Sequence, residues 1–290
     1  MPTVFIPADV PATMEKEFTD NYNAITKGTE KLFLFAGDQK IEHLNDNFYG
    51  NGLSPAINFP EHLFQIAATG DTGVFATQLG LIARYGKKFP NVNYLAKLNS
   101  KSYLTPPPPK DPLSRSLWSV EQVVKLKQES GLHIRGIGYT IYLGSEYEGA
   151  MLREAAQAIY TAHQYGMIAV IWMYPRGITV KNDQDPNLIA GAAGVANAIG
   201  ADFVKIKVPK AQNVGKALQI AVQAAGNTKV ICSGGKRIEP KKFLKGIQDQ
   251  LSLGHTDGIA VGRNLYQYSL AEAKILAQAI AKIIYGSKAE

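Results

Sequence analysis

Eight times along this chain a short apolar run gives way to a helical stretch, and no other feature limits the fold so sharply. The runs lie at 31–38, 73–77, 93–99, 138–144, 167–174, 201–209, 229–235 and 257–263. Helical stretches follow at 60–68, 79–85, 119–130, 148–165, 187–199, 213–225, 240–253 and 269–285. Strands that are apolar throughout are covered on both faces, and strands separated by a helix pair in parallel. Eight such units predict a single-domain α/β fold, a (β/α)8 TIM barrel over 31–290, with an N-terminal extension at 1–30. That arm holds Pro2, Pro7 and Pro11 and one short expected helix at 12–22. A doubly wound open sheet is the alternative with the same alternation. The stretch 100–118, with Pro106–Pro109 and Pro112, reads as a loop without regular hydrogen bonding, because proline removes backbone donors.

Composition narrows the function classes. No run of about 18 apolar residues spans a membrane, and the N-terminus lacks the layout of a signal peptide. The single cysteine, Cys232, excludes an internal disulfide and fits a cytoplasmic protein. The net charge of +7 comes from scattered Lys and Arg, with no basic run interleaved with aromatics. Nucleic acid is therefore not an expected partner, and small anionic molecules are. The five histidines show no ligand spacing, so neither a metal nor another cofactor is expected.

The sixth run, Ala201-Asp-Phe-Val-Lys-Ile-Lys-Val-Pro209, is the chemically unusual one. Alternation along a strand puts Phe203, Lys205 and Lys207 on one side and Val204, Ile206 and Val208 on the other. Two ammonium groups turned into a covered barrel depress at least one pKa, and a neutral amine near pH 7 is what Schiff-base chemistry requires. Lys207 is expected either to lower the pKa of Lys205 or to contact phosphate. A barrel gathers its active site at the C-terminal strand ends, where Asp38, Lys97, Tyr174, Lys205, Gly234 and Arg263 converge. Trp172 and Tyr174 share a face of the fifth strand, and a phenol there can exchange protons. Asp38 is either a turn residue or the group that holds the amine and a substrate hydroxyl in reacting position. Ser233-Gly234-Gly235 and Gly262-Arg263 end the last two strands, where barrels commonly bind phosphate through backbone N–H groups and a bidentate guanidinium. Arg176, just beyond the fifth strand, is placed for a second anionic group, and Cys232 reads as core.

The motifs Phe35-Ala-Gly-Asp38, Thr140-Ile-Tyr-Leu-Gly-Ser-Glu-Tyr-Glu148, Val170-Ile-Trp-Met-Tyr-Pro-Arg-Gly177, Ala201-Asp-Phe-Val-Lys-Ile-Lys207, Ser233-Gly-Gly235 and Ala260-Val-Gly-Arg-Asn264 resemble the archaeal-type class I fructose-bisphosphate aldolases. The related DeoC-like and LsrF-like aldolases and the aminodeoxyhexulosonate synthases belong to the same superfamily. The resemblance runs from about Leu32 to the C-terminus. It implies Lys205 as the imine lysine, Tyr174 as acid/base and Asp38 as the third catalytic residue. It further implies that Ser233, Gly234, Gly235, Gly262 and Arg263 hold one phosphate of a ketose and Arg176 the other; Lys97, Lys207 and Trp172 complete the expected substrate contacts. The expected reaction is reversible cleavage of fructose 1,6-bisphosphate to dihydroxyacetone phosphate and glyceraldehyde 3-phosphate by a homo-oligomer. The rivals are a lysine-dependent synthase or aldolase on another phosphorylated ketose and a non-catalytic sugar-phosphate-binding barrel. Family members often read Asp-His-Gly at the first strand, whereas this chain has Asp38-Gln39-Lys40.

Overall fold

In the computed structural model the described residues are 4–286, apart from 44–46, 50–52, 54, 103 and 105–110. Leu32–Ala36 (β1) is buried along its whole length, as a strand covered on both faces must be. Val74–Gln78 (β2) and Tyr94–Lys97 (β3) follow. Next come two dipeptide strands, Asn99–Ser100 (β4) and Arg115–Ser116 (β5), which pair antiparallel outside the barrel. The barrel resumes with Ile134–Leu143 (β6), Ile168–Pro175 (β7), Phe203–Ile206 (β8), Lys229–Ser233 (β9) and Gly258–Val261 (β10). All eight barrel strands are parallel, and β10 closes onto β1. The open-sheet alternative is thereby excluded.

The α-helices among the described residues include Glu15–Thr26 (α1), Gln39–Glu42 (α2), Pro60–Ala67 (α3), Leu79–Tyr85 (α4), Val120–Ser130 (α5), Glu148–Gln164 (α6), Pro186–Ala198 (α7), Val214–Ala225 (α8), Pro240–Ser252 (α9), Arg263–Tyr266 (α10) and Leu270–Tyr285 (α11). Their starts are written in the sequence. Ser119 and Ser269 form capping boxes with Gln122 and Glu272, and Asp185 and Glu239 cap helices whose first residue is proline.

Alternate strand residues separate into two cores. Leu32, Leu34, Phe203, Ile231 and Ala260 fill the barrel, while Phe33, Phe35, Val204, Ile206 and Cys232 pack outward under the helices. Cys232 is fully buried, and burial pushes its thiol up to about 12, consistent with a core role. Helix α1 closes the bottom, where the Tyr22 ring stacks on Phe203 at 5.5 Å between centroids. Beside it the buried His163 imidazole bridges Asp9 at 2.9 Å and Asp202 at 3.2 Å, tying the N-terminal segment to the barrel.

Three expectations need correcting. The first helix lies at Glu15–Thr26 rather than 12–22, since Pro7 and Pro11 shape tight turns before it and Lys27 ends it in the left-handed conformation. β6 starts at Ile134, four residues before the apolar run expected at 138, because Arg135 is absorbed at the barrel bottom by Asn93 and Asn21. The stretch 100–118 has regular pairing at its ends, in β4 and β5. Pro106–Pro109 lies outside the described residues. No helix among the described residues is long and apolar enough to cross a membrane.

Candidate active site

The C-terminal strand ends surround a cavity of about 620 Å³ lined by, among others, Asp38, Tyr174, Arg176, Lys205 and Arg263. Lys205 stands on β8 with Trp172 of β7 and Ile231 of β9 as register partners. Its side chain points inward, as alternation requires, and only 3 % of the residue is exposed. Burial lowers its pKa to about 8; the Asp38 and Glu42 carboxylates oppose this, and the Lys97 and Arg263 cations reinforce it. A lysine in that range presents an appreciable neutral fraction at physiological pH.

The Trp172 indole forms one wall. Lys205 Nζ lies 4.9 Å from its ring centroid and Lys97 Nζ 5.2 Å. Gly138 on β6 makes room for this ring: a Cβ there would stand 2.6 Å from an indole carbon. Tyr174, two residues along β7, also lines the cavity. Burial raises its phenol well above the usual range, and the negative charges of Asp38 and Glu42 raise it further against a smaller opposing effect of Arg263. At neutral pH Tyr174 is therefore a protonated donor. Asp38 follows β1, and its buried Oδ1 has no hydrogen-bond partner. An unsatisfied buried carboxylate oxygen in a cavity is costly unless a ligand group completes it.

Another part of the wall is formed by the chain that follows β9 and β10. Gly235 takes φ +68°, a conformation that favours glycine, and turns the chain after β9. The turn is fixed by Asn264, whose Nδ2 donates to the carbonyls of Gly234 (2.8 Å) and Lys236 (2.9 Å) while its Oδ1 accepts from Ile238 N–H (3.0 Å). Ser233, Gly234, Gly235, Gly262 and Arg263 all line this side, and Arg263 Nε is buried without a partner. Arg176, which lines the cavity, and Lys101, which does not, both sit over the Tyr142 ring, at 5.7 Å and 4.2 Å from its centroid. Burial, helped by the Arg176 charge, lowers Lys101 to about 8.

Of the expected contacts, Lys207 is at the cavity but paired, and Lys97 lies away from it. Lys207 lines the cavity but is ion-paired with Asp183, so β8 turns one unpaired ammonium inward rather than two. Lys97 is 1 % exposed and does not line the cavity; its amine turns to Asn99. Glu42, Lys101, Tyr142 and Asn264 escaped sequence reasoning. Asn264 directly follows the Gly262-Arg263 pair, which was its available signal. Glu42 and Lys101 lie on short or irregular segments with no period to reveal a face, whereas Tyr142 lies on β6, where its alternation with Thr140 was the available signal. No group of three or more His, Cys, Asp or Glu side chains suited to a metal ion occurs among the described residues.

Residues 32–268 match the model of the DeoC/LacD family aldolases. A Methanocaldococcus jannaschii protein named fructose-bisphosphate aldolase/6-deoxy-5-ketofructose 1-phosphate synthase is 51% identical over 98% of this chain and 91% of its own length. The structure of a fructose-bisphosphate aldolase from Slackia heliotrinireducens superposes with a TM-score of 0.95 at 47% identity, covering 99% of this chain and 91% of that one. An archaeal fructose-1,6-bisphosphate aldolase, solved with its catalytic lysine covalently bound to the carbinolamine intermediate of the substrate, gives a TM-score of 0.79 at 32% identity, covering 93% of this chain and all of that one.

Proposed function

Because the chain belongs to the DeoC/LacD aldolase family, we propose that its fructose-bisphosphate cleavage runs through an imine on Lys205, with Tyr174 as acid/base and Asp38 as orienting carboxylate. The protein is a class I fructose-bisphosphate aldolase, and its substrate is a phosphorylated sugar. The observation that supports the assignment of Lys205 most strongly is a buried amine, near pKa 8, facing a cavity beside an unsatisfied carboxylate oxygen.

Neutral Lys205 Nζ attacks the C2 carbonyl to give a carbinolamine. The Tyr174 hydroxyl donates the proton that lets water leave, and the iminium results. That new cation beside Tyr174 makes the phenolate less costly, so the residue that began as donor becomes the base for the C4 hydroxyl. As that proton leaves, the C3–C4 electrons flow into the iminium, giving an enamine and glyceraldehyde 3-phosphate. Protonation at C3 and hydrolysis release dihydroxyacetone phosphate and restore Lys205. Asp38 accepts a hydrogen bond from a substrate hydroxyl and holds it in line.

Arg263 with the Ser233–Gly235 turn grips one phosphate, and Arg176 receives the other. Cationic groups at both ends of the cavity favour a bisphosphate over a monophosphate substrate. We further propose a cytoplasmic homo-oligomer; the basic charge, scattered rather than gathered into a patch, supports a small-molecule substrate rather than nucleic acid. Release of triose phosphates from fructose 1,6-bisphosphate by the purified protein, abolished in Lys205→Ala, tests the assignment; full activity in that variant would refute it.

A further inference from the structure

Lys97 is a buried lysine for which the aldolase cycle has no evident use. It is 1 % exposed, forms no ion pair among the described residues and does not line the substrate cavity. Its Nζ donates to Asn99 Oδ1 at 3.0 Å and to the Asn99 carbonyl at 3.1 Å. Asn99 is itself immobilised: its Nδ2 donates to Thr140 O (2.8 Å) and Ser114 O (3.1 Å), and its Oδ1 also accepts Thr140 N–H (2.8 Å). The orientation of that amide is thus dictated by three backbone partners, leaving its oxygen turned toward Lys97.

Lys205 shares the same indole. Both amines lie about 5 Å from the Trp172 centroid, yet no described residue offers Lys205 Nζ a hydrogen bond. Two oxygen acceptors favour an ammonium, whereas an amine without acceptors loses little by being neutral. Two like charges in one desolvated pocket do not coexist cheaply, so the pair titrates together. Resting on the imine assignment above, we propose that this pair keeps its proton on Lys97, clamped by Asn99, and that this buried cation acts as a positioning residue that holds Lys205 in its neutral, nucleophilic form. Both lysines are depressed by burial, and Lys97 is among the charges that lower Lys205. The other charges facing Lys205 are Asp38 and Glu42, which act in the opposite sense, and Arg263, which acts in the same sense. Lys207 is neutralised by Asp183 and is a weaker candidate for the role.

The test is the pH dependence of imine formation, followed as the rate of borohydride trapping by dihydroxyacetone phosphate, with the adduct mapped by peptide mass. In Lys97→Met and Lys97→Gln the apparent pKa of the trapped amine is expected to rise by about one unit or more, slowing trapping at pH 7 about tenfold. The rate should recover toward the parent value near pH 10, and Lys97→Arg should keep the parent profile. A uniform loss at every pH, or an unmoved profile in both folded variants, overturns the inference while leaving Lys205 as the imine lysine. A parent adduct on any other lysine overturns the imine assignment itself, and this inference with it.

Discussion

Replacing Gly138 by alanine adds one methyl group and tests whether the indole wall is built as described. The new Cβ would stand 2.6 and 2.9 Å from Trp172 ring carbons and 2.8 Å from Leu95 Cδ2, all inside contact distance. Strand β6 is held on both sides, by β3 and β7, so the backbone cannot retreat and the ring must move. Overpacking of this kind costs about 1–3 kcal/mol. At about 2–4 °C per kcal/mol the melting temperature should fall measurably, and a urea titration should give the same loss. Trp118→Phe leaves Trp172 as the single indole, so its fluorescence reports the displacement directly. Because Lys205 and Lys97 both abut that ring, the rate of imine formation should fall as well. Gly149→Ala is the control: nothing lies within 4 Å of a Cβ there, and an alanine in α6 should be neutral or stabilising by up to about 1 kcal/mol. Parent-like stability and parent-like emission in Gly138→Ala would refute the packing argument.

Three further outcomes are expected. Arg263→Ala should weaken every phosphorylated ketose by about 1.5–3 kcal/mol, whereas Arg176→Ala should raise KM mainly for the bisphosphate; equal penalties on mono- and bisphosphate from Arg176→Ala would remove it from the second phosphate site. Dialysis against a chelator should leave cleavage intact, and activity lost there and restored by zinc would contradict imine chemistry. His163 is driven down by burial but raised overall to about 9, from an ordinary 6.5, by Asp202 and Asp9. Its contribution to stability is complete below pH 6.5 and disappears as pH rises through 9. The fall in melting temperature between pH 7 and 10 should therefore be smaller in His163→Gln than in the parent, and identical slopes would count against the clamp.

The barrel was legible because each strand is covered on both faces and so appears as an apolar run bounded by polar turns. β8 revealed its active residue for the same reason: a lysine inside such a run has to be explained. Long-range relations were not legible. Nothing in Asn93-Tyr-Leu-Ala-Lys97 says that the amine will fold back onto Asn99, because the backbone donor and acceptors that orient Asn99 come from 114 and 140. Likewise the spacing of Lys205 and Lys207 suggested mutual repulsion, yet Asp183, from the segment before α7, neutralises Lys207. The short helices α2 and α10 were missed because four residues contain no period, although Glu42 and Arg263 on them line the cavity.

The central claim is that Lys205 forms the covalent bond to substrate, and one measurement addresses it directly. The protein is reduced with borohydride in the presence of dihydroxyacetone phosphate, digested, and the modified peptide sequenced by mass spectrometry. The expected adduct lies on Lys205 alone, and Lys205→Ala should give none. An adduct on Lys97 or Lys207, or undiminished trapping in Lys205→Ala, would contradict the account.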